Sequence, residues 1–401
     1  MVTILRYWKE LILVAMTIGT GILIVRDALI RQRILSDKFA WLLVLFTLIH
    51  STVYLVFGGA PFDSILGLKI NLSFLLLYLI LSATQIYTKI TQLTLLYIVL
   101  IPSGIVGLFG ALQTFVLPHN ILTHFGYGPL GGSNPAYYLI ENSQTIRVMS
   151  TLWGPNQFGS YLVLPLTLSL WWLFKGIGRQ KVFAGLVFTL DLLSLYGSQS
   201  RGAWLAAVIA IGFVVVLLSR GWTRWAALFT SIAIVASIII LAINHKFPQK
   251  INMLLLHGAS LSNNLDTNTS NGGHLKALTL GFERLQAHPL GAGLEAAGRA
   301  SENSSEQLYT ENFFLQLAVQ IGYEGLLVFT AISGLIAWRL ISGLHLSPLN
   351  LPLLASFIGL SINNLVAHTW SDGATAWIWW GLAGVVFAQT KLARKANNVK
   401  A

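Results

Sequence analysis

Residues 202–218 read GAWLAAVIAIGFVVVLL, a run without charge or proline that is entered through Ser198-Gln199-Ser200-Arg201. A helix through this run is apolar on every side, so it is stable only in a large core or in a bilayer. Comparable runs occupy 11–25, 39–57, 70–87, 93–117, 157–174, 182–199, 225–243, 313–338, 352–366 and 374–390. Of the 401 residues, 55% are hydrophobic and 10% charged, whereas a soluble domain carries roughly a quarter charged residues. An ordinary soluble enzyme is excluded, and so is disorder, because this much apolar surface demands burial. The expectation is an all-α, polytopic transmembrane helical bundle of about 11–12 spans, one integral membrane domain over 1–401.

The chain has no cysteine, so disulfides, thiolate metal ligands and a cysteine nucleophile are unavailable. Its net charge of +11 is scattered between apolar runs, which points to membrane topology rather than to nucleic acid. With the C-terminus inside, fifteen of the 25 Lys and Arg fall on the inner side beside Asp27 and Asp37. The outer segments then hold ten basic and ten acidic residues, and Asp191 and Glu324 lie within spans. This bias predicts a cytoplasmic C-terminus. No cleavable signal is apparent, so the first apolar run is expected to stay. Two long connections, 118–156 and 244–312, share the outer face, where long connections commonly carry function. In the second, Leu275, Leu278, Phe282 and Leu285 recur at helical spacing opposite Lys276, Thr279, Glu283 and Gln286. That pattern predicts an amphipathic helix over 275–287 at the membrane surface, after a mobile loop at 260–273.

Four outer patterns could carry chemistry, and each has a plainer explanation. Residues 147–156 run from Arg147 to Pro155-Asn156, a helix start whose free amides attract an anion, or simply a capped helix. Arg201, held at the membrane boundary in Ser198-Gln199-Ser200-Arg201-Gly202-Ala203-Trp204, suits a diphosphate through its planar fork, or snorkels to lipid headgroups. Gly272-Gly273-His274 and His288-Pro289-Leu290-Gly291-Ala292-Gly293 permit tight backbone turns near a ligand, or merely punctuate loops. Glu311-Asn312, ahead of Gly322-Tyr323-Glu324-Gly325, offers a general base toward a sugar hydroxyl, or an N-cap acid. Asp191 inside a span is a functional candidate by default. His368 and Asp372 flank the last outer loop, and Glu302 and Glu306 stand four apart without forming a compact metal-binding cluster.

Taken in order, 147–156, Ser200-Arg201-Gly202, His288 to Gly293 and the helix from Asn312 to Gly325 resemble the O-antigen ligase and O-antigen polymerase superfamily of bacterial membrane glycosyltransferases. The resemblance extends from about Gly104 to Gly384 and includes Leu112-Gln113. It implies a GT-C type fold and a multi-pass protein of the bacterial cytoplasmic membrane with its active site on the outer, periplasmic face. It implies polyprenyl-diphosphate-linked glycan donors, a glycan or lipid-glycan acceptor, and neither cofactor nor metal ion. Envelope polysaccharide assembly proteins are further expected partners. Arg201 matches the family arginine that contacts the diphosphate, with Arg147, His274 and Lys276 as expected helpers. Two positions depart from ligases: His274 stands where they have an arginine, and Glu311 where they have a histidine before Asn312. Glu311 is the expected catalytic base, with Asn312, Asn156, Glu306, Asp191 and His368 as supporting candidates. The missing histidine tilts the expectation toward polymerisation of repeat units, with ligase as the alternative. A transporter or flippase of lipid-linked glycans is the alternative of another class, disfavoured by the lack of an inverted repeat.

Overall fold

Helix boundaries fall where the sequence supplies start and stop chemistry. The computed structural model describes residues 8–88, 90–128, 135–139, 146–226, 270–303 and 307–400. Its helices are α1 (Trp8–Arg26), α2 (Ala28–Leu35), α3 (Lys38–Phe57), α4 (Pro61–Thr84), α5 (Gln92–Phe115), α6 (Pro155–Lys175), α7 (Arg179–Ser198), α8 (Arg201–Leu218), α9 (Ser270–Ala287), α10 (Phe313–Ser342), α11 (Asn350–Asn363) and α12 (Gly373–Lys400). Asp27 and Asp37 cap α2 and α3 by accepting from first-turn amides, and Pro61 and Pro155 open α4 and α6, where a missing N–H costs nothing. One short sheet occurs among the described residues, β1 (Tyr138–Leu139) antiparallel to β2 (Ile146–Arg147).

Eight of the described helices, α1, α3 to α8 and α10, are long and apolar enough to cross a membrane. The all-α polytopic architecture therefore holds. The run at 352–366 differs from expectation. It yields α11, 14 residues long, or about 21 Å of helix against a hydrocarbon core of about 30 Å. Asn363 ends α11 by turning its amide to Ser160 Oγ (2.7 Å) and Thr369 Oγ1 (2.9 Å). Most of the run 225–243, most of the loop 260–273, Lys89 and Glu306 lie outside the described residues.

The chain divides into two compact units. The first comprises Met1–Leu95, Leu280–Asn350 and Trp370–Ala401. In it α4 packs against α12 and α10 against α3, around the buried rings of Phe74, Phe313, Phe329, Trp370, Trp379 and Trp380. Arg339 pairs with Asp37, donates to Tyr78 Oη (2.9 Å) and lies 4.0 Å from the centre of the Phe387 ring. Arg33 and Lys391 border the same place as Asp37, so residues that the charge pattern assigns to one side do come together.

Helix α10 has 30 residues and would run about 45 Å if continuous. It breaks at Ile321 (φ −129°, ψ 19°) and Gly322 (φ 74°, ψ −179°). The loop at 288–293 fills the break: Ala292 N donates to Val319 O (2.8 Å), Gly293 N to Gln320 O (3.3 Å), and Tyr323 N to Pro289 O (3.0 Å). Carbonyls that lose their helical donors are thus satisfied from outside the helix. A Cβ at Gly291 would lie 2.7 Å from Gln320 O, and one at Gly322 would lie 2.6 Å from Leu290 C. Gln320 reinforces the joint, donating to Leu294 O (2.7 Å) and Ala297 O (2.9 Å) and accepting from Asn71 Nδ2 (3.0 Å). Beyond the break, 323–342 supplies about 30 Å of helix, the thickness of the hydrocarbon core. Glu324, in the first turn beyond the break, is exposed and lies within the span-length helix, as expected from the sequence.

The second unit comprises Leu96–Thr279 and Leu351–Thr369. Helix α6 is buried along nearly its whole length and packs against α7 and α8. Helix α8 turns Ala203, Ala206, Ala207 and Ala210 inward, a small-residue stripe that permits close helix approach. On α11, a Cβ at Gly359 would lie 2.5 Å from Ala206 O. Asp191 is fully buried in this unit, accepting at Oδ2 from Ser103 Oγ (2.8 Å).

Helix α9 spans the expected 275–287 and begins earlier, at Ser270. Its inward face is set by Gly281 and Leu285, whereas Leu275 and Phe282 are 52% and 54% exposed. Gly281 causes the offset, because a Cβ there would lie 2.7 Å from a Leu315 methyl. Within the expected stripe, Leu285 is thus buried and Leu278 partly so, while Leu275 and Phe282 at its other edge are exposed.

Candidate active site

In the second unit the site grows from a helix-to-helix turn. Helix α7 ends at Gln199, whose φ of 50° is left-handed, and the chain re-enters α8 through Ser200. Arg201 is the first residue of α8. A cation there opposes the helix dipole, while the free amides around it favour an anion. The carbonyls left open by α7 are taken by side chains from the same segments. Trp204 Nε1 donates to Leu195 O (2.7 Å), Gln199 Nε2 to Tyr196 O (2.9 Å), and Arg147 Nε to Ser198 O (3.2 Å). Val148 N also donates to Gly197 O (3.0 Å), fixing the hairpin strand that carries Arg147 onto α7.

Arg147 gives its other bond to Asn156 Oδ1 (2.6 Å). Gly154, not Asn156, is the N-cap of α6, so Asn156 orients an arginine instead of capping a helix. Both of these oxygens, on Ser198 and Asn156, are uncharged. Burial, and then the charge of Arg201, pushes the Arg147 guanidinium down to about 10, against an opposing influence of Tyr138. His274, on α9, is held below the usual imidazole value by burial and then by Arg201 and Arg147. His368 is pushed down to about 4 by burial and then by His274. The structure therefore brings Arg147, Arg201, His274 and His368 into one electrostatic neighbourhood, although nothing in their spacing links His368 to the rest. Lys276 is exposed, two residues round the helix from His274.

Two buried amide oxygens adjoin Arg201. Gln199 Oε1 and Asn363 Oδ1 have no hydrogen-bond donor among the described residues, and Asn363 Oδ1 lies 2.5 Å from where a Gly202 Cβ would stand. A buried acceptor without a donor is costly, and both are suited to a hydroxyl. Sequence reasoning missed Asn363; its signal is a polar residue in the apolar run 352–366. Asp191 also keeps a buried oxygen without a donor, but its one bond runs to Ser103 on α5 and none to the arginines.

The first unit holds the carboxylate candidate. Glu311 is half-buried with φ 50°, a sparsely populated conformation for a side-chain-bearing residue that tertiary packing must enforce. It is not the N-cap of α10: Asn312 is, accepting from Leu315 N (2.9 Å). Thr310 Oγ1 donates to Asn312 O (2.9 Å), which also receives Gln316 N (2.9 Å). The plain capping explanation thus belongs to Asn312 and not to Glu311. Glu302 is already engaged, accepting from Tyr309 Oη (2.6 Å).

Three side-chain-bearing residues have positive φ among the described residues: Ser150, Gln199 and Glu311. Each falls in one of the four sequence patterns, so the strain gathers where the candidate chemistry lies. Residues 184–330 match the family described as O-antigen ligase. This match supports the O-antigen ligase and polymerase superfamily that the motifs resemble. It contains Arg201, His274, the 288–293 loop, Glu311 and the break in α10. It supports a membrane glycosyltransferase of O-antigen ligase type acting on lipid-linked glycans. No curated protein matches the chain.

Proposed function

We propose that this protein is an inverting, metal-independent glycosyltransferase of the bacterial cytoplasmic membrane, acting at its outer face on polyprenyl-diphosphate-linked glycans. The observation that carries the reading is the convergence of Arg147, Arg201, His274 and His368 at the start of α8. The like charges of Arg147 and Arg201 repel, and an anionic group beside them converts that repulsion into binding, with the two imidazoles as further hydrogen-bonding groups.

The acceptor hydroxyl attacks the anomeric carbon, and Glu311 receives its proton. The bond from that carbon to the diphosphate oxygen breaks, and the electron pair leaves with the diphosphate. One displacement inverts the anomeric centre. Arg201, assisted by Arg147 and His274, stabilises the charge that grows on the leaving group, commonly the largest contribution to catalysis. Arg147 is held ready by Ser198 O and Asn156 Oδ1, so little reorganisation is needed as the charge develops.

Polymerisation of repeat units is the first reading, because Glu311 replaces the histidine of ligases. The match to the family described as O-antigen ligase favours a second reading, transfer of the glycan to a separate envelope acceptor. An assay of the detergent-solubilised protein with lipid-linked repeat units separates them. A ladder of longer lipid-linked glycans that disappears in Arg201→Ala establishes the polymerase. Donor consumption only with an added acceptor establishes the ligase, and no consumption with any donor overturns the glycosyltransferase reading.

A further inference from the structure

We propose that the first unit binds the phosphate of an anionic phospholipid between Arg33 and Lys391. The inference is independent of the catalytic reading. A shallow, open depression is lined by Arg33, Asp37, Leu79, Ser82, Phe387 and Lys391, among others. Its two outer cations, Arg33 and Lys391, have no ion-pair partner among the described residues, and Lys391 feels the attraction of Asp37 and then the repulsion of Arg33. Asp37, the acid in the lining, is already committed: it pairs with Arg339 and accepts from Phe39 N (2.8 Å). The depression therefore presents an excess of positive charge over an apolar floor of Leu79 and Phe387, beside the Ser82 hydroxyl.

The surroundings identify the occupant as a lipid. Helix α2 is a short connector with Leu29 and Leu35 exposed at 49% and 54%. Trp41, 58% exposed, donates from Nε1 to Leu35 O (2.9 Å). Exposed leucines with a tryptophan whose N–H is satisfied, next to arginines, describe a helix lying in the membrane interface. A phosphate at that level belongs to a phospholipid headgroup, whose acyl chains then cover Leu29, Leu35 and Trp41. Basic pockets between membrane helices take anionic headgroups by this combination of charge and apolar contact.

The test uses delipidated full-length protein in detergent, with retention of phosphatidylglycerol and phosphatidylcholine read by native mass spectrometry. The wild type should retain phosphatidylglycerol preferentially. The double variant Arg33→Ala/Lys391→Ala should lose that preference by on the order of tenfold. The charge-preserving pair Arg33→Lys/Lys391→Arg should keep most of it, as should Arg31→Ala, an exposed cation on the same helix. Equal retention of both lipids, or an unchanged double variant, overturns the proposal. So does an equal loss in Arg31→Ala or in the charge-preserving pair, since the first indicates diffuse charge and the second structural damage. Displacement of the lipid by millimolar inorganic phosphate would mean that the pocket takes free phosphate, and would also overturn it.

Discussion

Arg339 and Arg147 are both drawn out of water, yet their surroundings differ in kind. Arg339 has a carboxylate, a phenol and an aromatic face, from Asp37, Tyr78 and Phe387. Arg147 has a backbone carbonyl and an amide oxygen, and the charge that bears most on it is that of another arginine. The first arrangement neutralises a charge and ties helices together. The second orients a charge and leaves its field uncancelled, as an anion site requires. Burial alone does not distinguish a structural arginine from a functional one; the charge of its neighbours does.

The contrast can be broken experimentally, most severely at Arg339. Arg339→Ala strands Asp37 in the interior and should destabilise the protein by about 3–5 kcal/mol, seen as a fall in thermal midpoint. Asp37→Asn in that background should recover part of the loss. Arg201→Ala should instead slow glycan transfer by on the order of 10²–10³ while the thermal midpoint changes little. A melting loss as large as that of Arg339→Ala would move Arg201 into the structural class.

Gly322→Ala forces a side chain into a backbone region reserved for glycine and against Leu290, and should cost about 1–3 kcal/mol in thermal stability. An unchanged midpoint would show that the joint has slack. The smallest effect is the sharpest test of the site's electrostatics. His274 is held below its usual range and is neutral in the unliganded protein at neutral pH. A diphosphate favours the protonated imidazole, so donor binding takes up a proton. Apparent donor affinity should therefore rise a few-fold as pH falls from about 7.5 to about 6. His274→Arg should flatten that profile, and an identical pH dependence in this variant would remove His274 from the diphosphate's surroundings.

The bundle was legible because its cause is local: every long apolar run demands the same solvent, and periodicity requires no knowledge of neighbours. Arg201 and Glu311 were legible as residues out of place at the end of such runs. Their geometry was not. A positive φ at Ser150, Gln199 and Glu311 is imposed by packing against intrinsic preference, so composition carries no trace of it. His368 joins His274 through tertiary folding alone. The glycines of 288–293 look like loop punctuation, and only the break in α10 explains why Gly291 has no room for a side chain.

That break also orders events during synthesis. Residues 288–293 leave the ribosome before 313–342, so the loop that completes the joint already exists when the helix emerges. An unbroken α10 is the stronger local structure, since it satisfies its own carbonyls without help. The partner is thus made ahead of the segment that needs it. Moving the 288–293 segment downstream of α10 by circular permutation would give the straight helix time to form first, turning a correctly folded chain into a competition between two conformations of one helix.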